Sequence, residues 1–307
     1  MTTTTATSLP AAPARPLGVY LRLAATAMFW GGTFIAGRTV AHVLPPIVAA
    51  LLRFGVAAAL LLLIVWRKEG GLPRLSRQQV LATAALGLTG IFLYNLCFFG
   101  ALGRIPAGRA ALFIALNPIV TALAAALFLR ERLSGRKWAG IALAFFGAAI
   151  VITRGDFAGA VHDISQSLGT GELLMLGAIS SWAVYTLVGR RALTQLSPVA
   201  ATTYAALWGL LFLAVGAVPQ LGQIDWTQVG WTAYASVGYL GAFGTVIGFV
   251  WYYEGVKALG ASRAAVFNNL VPVFGVTFAA LLLGEPVLLS MVLGGAVAVA
   301  GVTLTNR

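Results

Sequence analysis

Sixty per cent of the 307 residues are hydrophobic and only 9% are charged, with a mean hydropathy of +0.92. A soluble domain carries roughly a quarter charged residues, so this chain belongs in lipid. The net charge of +12 is no nucleic-acid footprint, because the arginines fall between apolar runs rather than in a basic stripe, and a single cysteine, Cys97, excludes an internal disulfide.

Residues 1–17 (MTTTTATSLPAAPARPL) are polar and proline-containing and read as a disordered cytoplasmic tail without the apolar stretch of a cleaved signal. Ten apolar runs follow, near 18–37, 47–66, 80–101, 107–129, 136–153, 171–189, 199–218, 229–251, 261–283 and 287–305. Each is long enough to cross a hydrocarbon core of about 30 Å. Short-loop lysines and arginines set the orientation. Arg67, Lys68, Arg74 and Arg77, then Arg130, Arg132, Arg136 and Lys137, then Arg190 and Arg191, and Lys257 between spans eight and nine, all share one face. That face is cytoplasmic, it carries both termini, and the expected location is the bacterial inner membrane.

The chain is also written twice. Arg109–Gly147 lies on Arg263–Gly301 at an ungapped shift of 154 (263 − 109), with fifteen of 39 positions identical. Alanine and leucine matches are cheap in an apolar chain, but Arg109/Arg263, Phe113/Phe267, Pro118/Pro272, Glu131/Glu285, Gly140/Gly294 and Gly147/Gly301 are not. Upstream, a shift of 152 (182 − 30) joins Trp30 to Trp182, Gly37 to Gly189, Arg38 to Arg190 and Pro46 to Pro198. The expected division is 18–153, a loop at 154–170, and 171–307. With five spans per copy, the second copy enters the membrane from the opposite side. The halves are then inverted about an axis in the membrane plane, an arrangement that recurs in secondary transporters with the site between the repeats.

The spacing Pro118, Glu131, Gly140, Gly147, repeated as Pro272, Glu285, Gly294, Gly301, together with Arg53-Phe54 in span two, resembles the EamA repeat of the drug/metabolite transporter superfamily. The resemblance covers residues 18 to 305. It implies an all-α integral membrane fold of ten helices, a central cavity lined by spans 1, 3, 4, 6, 8 and 9, peripheral spans 5 and 10, and export of small metabolites without a cofactor. Within that family the chain is similar to the aromatic amino acid exporters at Tyr94, Asn117-Pro118, Trp182 and Tyr252. Those exporters tend to carry Trp-Pro where this chain has Asn117-Pro118, and the amide favours a broader range of amino acids.

Polar side chains inside spans are costly unless they face a cavity or each other. Asn117, Asn268 and Asn269 precede prolines in matched spans four and nine, where freed carbonyls and amide side chains can hold the polar ends of an amino acid. Interhelical hydrogen bonding is the competing reading. Trp182 and Tyr185, at i and i+3, share one face of span six, and Tyr94 and Phe98, at i and i+4, share one of span three. Both pairs suit the aromatic wall of a solute pocket. Trp30 joins them as the repeat-mate of Trp182, and Tyr252 through the resemblance, although its place near the end of span eight also suits an interface belt. Trp66, Trp138, Trp226 and Trp231 sit at span ends and read as that belt. Arg53, seven residues into span two, could attract a carboxylate, but it is near enough to the outer face to snorkel and reads as structural. Arg109 and Arg263 begin matched spans as mouth guards or anchors.

All eight acids fall in loops or at span ends, so a mid-membrane carboxylate relay is not expected and facilitated diffusion is the simpler mode. No catalytic set, metal site or channel filter is evident; His42 and His162 lie far apart in predicted loops. The expected partners are a small-molecule substrate, amino acids with aromatic ones included, and membrane lipid, not nucleic acid, for a monomer or homodimer. The competing carrier reading is a drug or quaternary-ammonium exporter, and a membrane enzyme is the less favoured third.

Overall fold

The structure, a computed structural model, describes residues 17–129, 134–156, 169–192, 196–259 and 267–305. The tail, Glu131, His162 and Arg263 lie outside them. Among the described residues ten helical rods make up the fold. In the first repeat they are α1 (Leu17–Ala41), α2 (Pro46–Glu69), α3 (Arg77–Leu102), α4 (107–129) and α5 (Gly135–Ile152). In the second they are α6 (Thr170–Ala192), α7 (Pro198–Leu221), α8 (231–259), α9 (Phe267–Leu283) and α10 (Leu289–Thr305). Seven are long and apolar enough to cross a membrane by the strictest measure. The other three, α5, α9 and α10, run 17 or 18 residues, about 26 Å of rise. The protein is an all-α, ten-helix membrane protein.

Local chemistry fixes several starts. Pro46 and Pro198 open α2 and α7 at equivalent positions, where a missing N–H costs nothing. Ser76 and Gln79 cap α3 reciprocally. The largest departure from an expected boundary is in α8. Lys257, expected in a loop after span eight, lies in the last turns of α8, which runs on to Leu259 because nothing before it breaks the helix. Tyr252 is therefore not at a helix end.

The packing order reveals how the repeats meet. Helix α1 packs on α8 and α9, while α6 packs on α3 and α4. Helix α3 touches α7 as α8 touches α2, and α2 meets α7, α4 meets α9 and α5 meets α10. Exchanging helices 1–5 with 6–10 leaves that list unchanged, as a two-fold relation between the copies demands. Nearly every principal contact runs between repeats rather than within one.

The most extensive of these contacts, α5 with α10, lies at backbone distance. A Cβ on Gly147 would come within 2.4 Å of the Ala298 nitrogen, and one on Gly301 within 2.4 Å of the Ala144 nitrogen. These are the same contact seen from each repeat (298 − 144 = 301 − 147). In lipid, where apolar burial no longer separates helix from solvent, such small-residue seams let backbones approach and gain dispersion energy.

Candidate functional site

Four helices lose regularity in the middle of the bundle, as two matched pairs. Helix α3 carries a π turn at Gly87–Leu93 and α8 one at Leu240–Ile247. Helix α4 tightens into a 3-10 turn at Ile114–Leu116, and the described part of α9 carries one at Phe267–Asn269. The cause in α4 is legible. Pro118 has no N–H for the Ile114 carbonyl, and the Asn117 N–H takes that carbonyl instead, one residue early. In α9, Pro272 stands in the same relation to Asn268. Discontinuous helices of this kind are tolerated in a membrane where they line a cavity.

They do so here. A cavity of about 120 Å³ lies between the repeats. Trp30 and Trp182, midway along α1 and α6, stand on its two sides, each within 6.0 Å of the Phe249 ring between them. Tyr94 packs on Trp182 at 5.5 Å, and Phe98 is stacked behind Tyr94 at 5.7 Å and is almost wholly buried. Asn117, Asn268 and Asn269 supply the polar lining from the broken helices. The buried Asn117 Oδ1 has no hydrogen-bond partner. Two expected site residues stand apart. Tyr185, packed on Trp182 at 5.1 Å, lines a smaller neighbouring cavity of about 30 Å³. Tyr252 lines neither cavity and packs against Trp30 at 5.4 Å.

The snorkelling expected of Arg53 is overturned. Its side chain does not snorkel: the residue is 7% exposed and lines the central cavity, adding α2 to the helices expected there. Neutral acceptors draw it inward. Its Nε and Nη2 both donate to Thr245 Oγ1 at 3.2 Å, and Nη1 donates to Asn95 Oδ1 at 3.1 Å. The π turns aim both acceptors. The Asn95 amide donates back to the Ile91 carbonyl, and the Thr245 hydroxyl to that of Leu240 five residues earlier. Asn95, Thr245 and Phe249 were missed along with Arg53. The signal that could have found Arg53 is a charge in one copy with none at its repeat-mate, Ala205 (53 + 152).

Residues 17–153 and 169–307 both match the EamA-like transporter family. The chain belongs to that family. It is thereby a member of the drug/metabolite transporter superfamily, and its business is small-molecule transport. Among EamA-like relatives it is 30% identical over 289 residues to an uncharacterized transporter, YyaM, of Bacillus subtilis, covering 93% of this chain and 92% of that one. An uncharacterized transporter of Archaeoglobus fulgidus is 31% identical over 293 residues, covering 94% and 98%. A protein of Streptantibioticus cattleyicolor, named a probable terminal-alkyne amino-acid exporter, is 31% identical over 240 residues, covering 77% and 76%. A solved crystal structure covers 94% of this chain at 19% identity with a TM-score of 0.63, which establishes likeness of fold.

One end of this EamA-like bundle, where α1 and α3 finish and α4 and α6 begin, is drawn together by charge. The Glu285 carboxylate accepts from the first two N–H groups of α4, Ala107 at 2.8 Å and Gly108 at 2.9 Å, a favourable place for an anion. Arg38 pairs with Glu285 at 3.3 Å and donates to the carbonyls of Leu102 and Ile105. Beside them Arg109 pairs with Glu172 at 3.0 Å, both buried. Arg109 is therefore a tie between α4 and α6 rather than an exposed anchor. By the repeat rule, the mates of Glu285 and Arg38 at the opposite end are Glu131 and Arg190, whose side chains lie outside the described residues.

Proposed function

We propose that this EamA-like transporter exports neutral amino acids, aromatic ones included, across a bacterial inner membrane by alternating access. The observation that carries the reading is the aromatic cavity between Trp30 and Trp182. Because these are repeat-mates, the same walls serve whether the bundle opens to one side or the other. Aromatic walls with a few polar groups suit a small organic solute, and the amides of Asn117, Asn268 and Asn269 suit its polar ends. The Streptantibioticus relative, by its name, handles an amino acid. The basic short loops put both termini on the cytoplasmic side. Among the described residues no carboxylate lines the cavity, which favours facilitated diffusion over a carboxylate proton relay and disfavours a quaternary-ammonium cargo. The working unit is a monomer or homodimer in lipid.

The test is counterflow of labelled phenylalanine, threonine and choline in proteoliposomes, with and without a pH gradient. Phenylalanine and threonine flux indifferent to the gradient is the expected result. Choline flux alone would replace the reading with cation export, and flux that rises steeply with the gradient would remove the facilitator mechanism.

A further inference from the structure

Resting on the amino-acid reading of the central cavity, we infer that Arg53 is its anion-recognising pole and Asn117 its acceptor for an ammonium group. The cargo then needs a carboxylate, is best held as a zwitterion, and is rejected once that carboxylate is removed.

The charge inventory carries the argument. Among the described residues Arg53 is the cation lining the cavity and no acid lines it. Arg53 makes no ion pair there either; its acceptors are a hydroxyl and an amide. A guanidinium has five N–H groups. Three are used, leaving one on each Nη for the oxygens of an anion. A buried cation with only neutral partners is costly to hold, and an arriving anion removes that cost. Asn117, on the same lining, carries a buried Oδ1 with no hydrogen-bond partner, an acceptor suited to an ammonium group.

The duplication shows the matching helix seam built without an arginine. A Cβ on Gly241 would lie 2.9 Å from the Arg53 carbonyl oxygen, and one on Gly87 would lie 2.9 Å from that of Ala205. Gly87 and Gly241 are repeat-mates (241 − 87 = 154), so Arg53 and Ala205 occupy the same place in their respective halves. The first π turn packs against α7 without any arginine, its Thr89 hydroxyl donating to the Ala85 carbonyl at 2.7 Å. The same seam is built once with a guanidinium and once with a methyl group. What the guanidinium adds is charge in the cavity.

The experiment uses the purified full-length protein, with ligand-induced thermal shift as the binding measure and liposome counterflow alongside it. The probes are phenylalanine, 3-phenylpropionate, which lacks the amine, and phenethylamine, which lacks the carboxylate. We expect phenylalanine to bind most tightly, 3-phenylpropionate next, and phenethylamine least. Arg53→Gln should weaken both acids roughly ten- to a hundred-fold, with Arg53→Lys between. Asn117→Leu should weaken phenylalanine and leave 3-phenylpropionate unchanged. Phenethylamine binding as tightly as 3-phenylpropionate, neither acid binding, or folded Arg53→Gln binding both acids as the wild type does would each overturn the inference. If Arg53→Gln does not fold, the three probes on the wild type still decide. Binding of 3-phenylpropionate without phenylalanine counterflow would sink the amino-acid reading and leave the anion pole standing.

Discussion

The α5–α10 pair and the helices around the cavity, α3, α4, α8 and α9, answer the same duplication in opposite ways. Along α5 and α10 the helices are regular and meet backbone to backbone through Gly147 and Gly301, each pressed against an alanine of the other copy. Around the cavity each matched pair is interrupted, by π turns in α3 and α8 and by 3-10 turns in α4 and α9. Regular helices in close contact have one favourable arrangement, since interdigitated backbones do not deform continuously. Interrupted helices have carbonyls and amides to spare and places to bend. On the alternating-access reading, the outer seam is the one that holds and the inner one is the one that parts.

The comparison breaks hardest at the seam. Gly147→Leu places a side chain where a Cβ alone would lie 2.4 Å from backbone. It should destabilise the protein by about 3 kcal/mol, seen as a lower Tm in detergent and poor recovery from membranes. Trp182→Ala should do the reverse, keeping the fold but weakening phenylalanine counterflow about ten-fold. If it instead unfolds the protein, the cavity wall is structural after all. Glu285→Gln removes the carboxylate that joins Arg38 to the start of α4. It should favour opening of that end by about 1–2 kcal/mol, read as faster maleimide labelling of a cysteine placed at Ala115 in a Cys97→Ser background. Smallest is Arg22→Ala. Its 2.7 Å pair with Glu254 is 53% and 42% exposed, so Tm and flux should hold within about 0.5 kcal/mol.

The rods were legible because a run of some twenty apolar residues has few destinations, and the duplication because Trp, Pro, Glu and Gly recur at fixed offsets. Seven of the fifteen residues lining the cavity were legible for a related reason: an amide or an aromatic ring deep in a span needs a cavity or a partner. Arg53 was not, because a span position gives depth and not direction. The groups that turn it inward, Asn95 and Thr245, stand 42 and 192 residues away in sequence, and the π turns that aim them add a residue to a helix without altering its apolar pattern. Tyr185 erred in the other direction. It shares a helix face with Trp182, yet that face is wide enough to serve two cavities.

The exchange of partners between copies also sets a timetable for biogenesis. Helix α5 is complete at Ile152, but α10, its chief neighbour, ends at Thr305. Helix α1 likewise waits for α8 and α9. At ordinary rates of synthesis the intervening stretch takes on the order of ten to thirty seconds. Throughout that interval the glycine face of α5 borders lipid or the insertion machinery. The first half of the chain must therefore persist in the bilayer as an unfinished surface, and α10, made after the other nine helices, is the one that completes the first repeat.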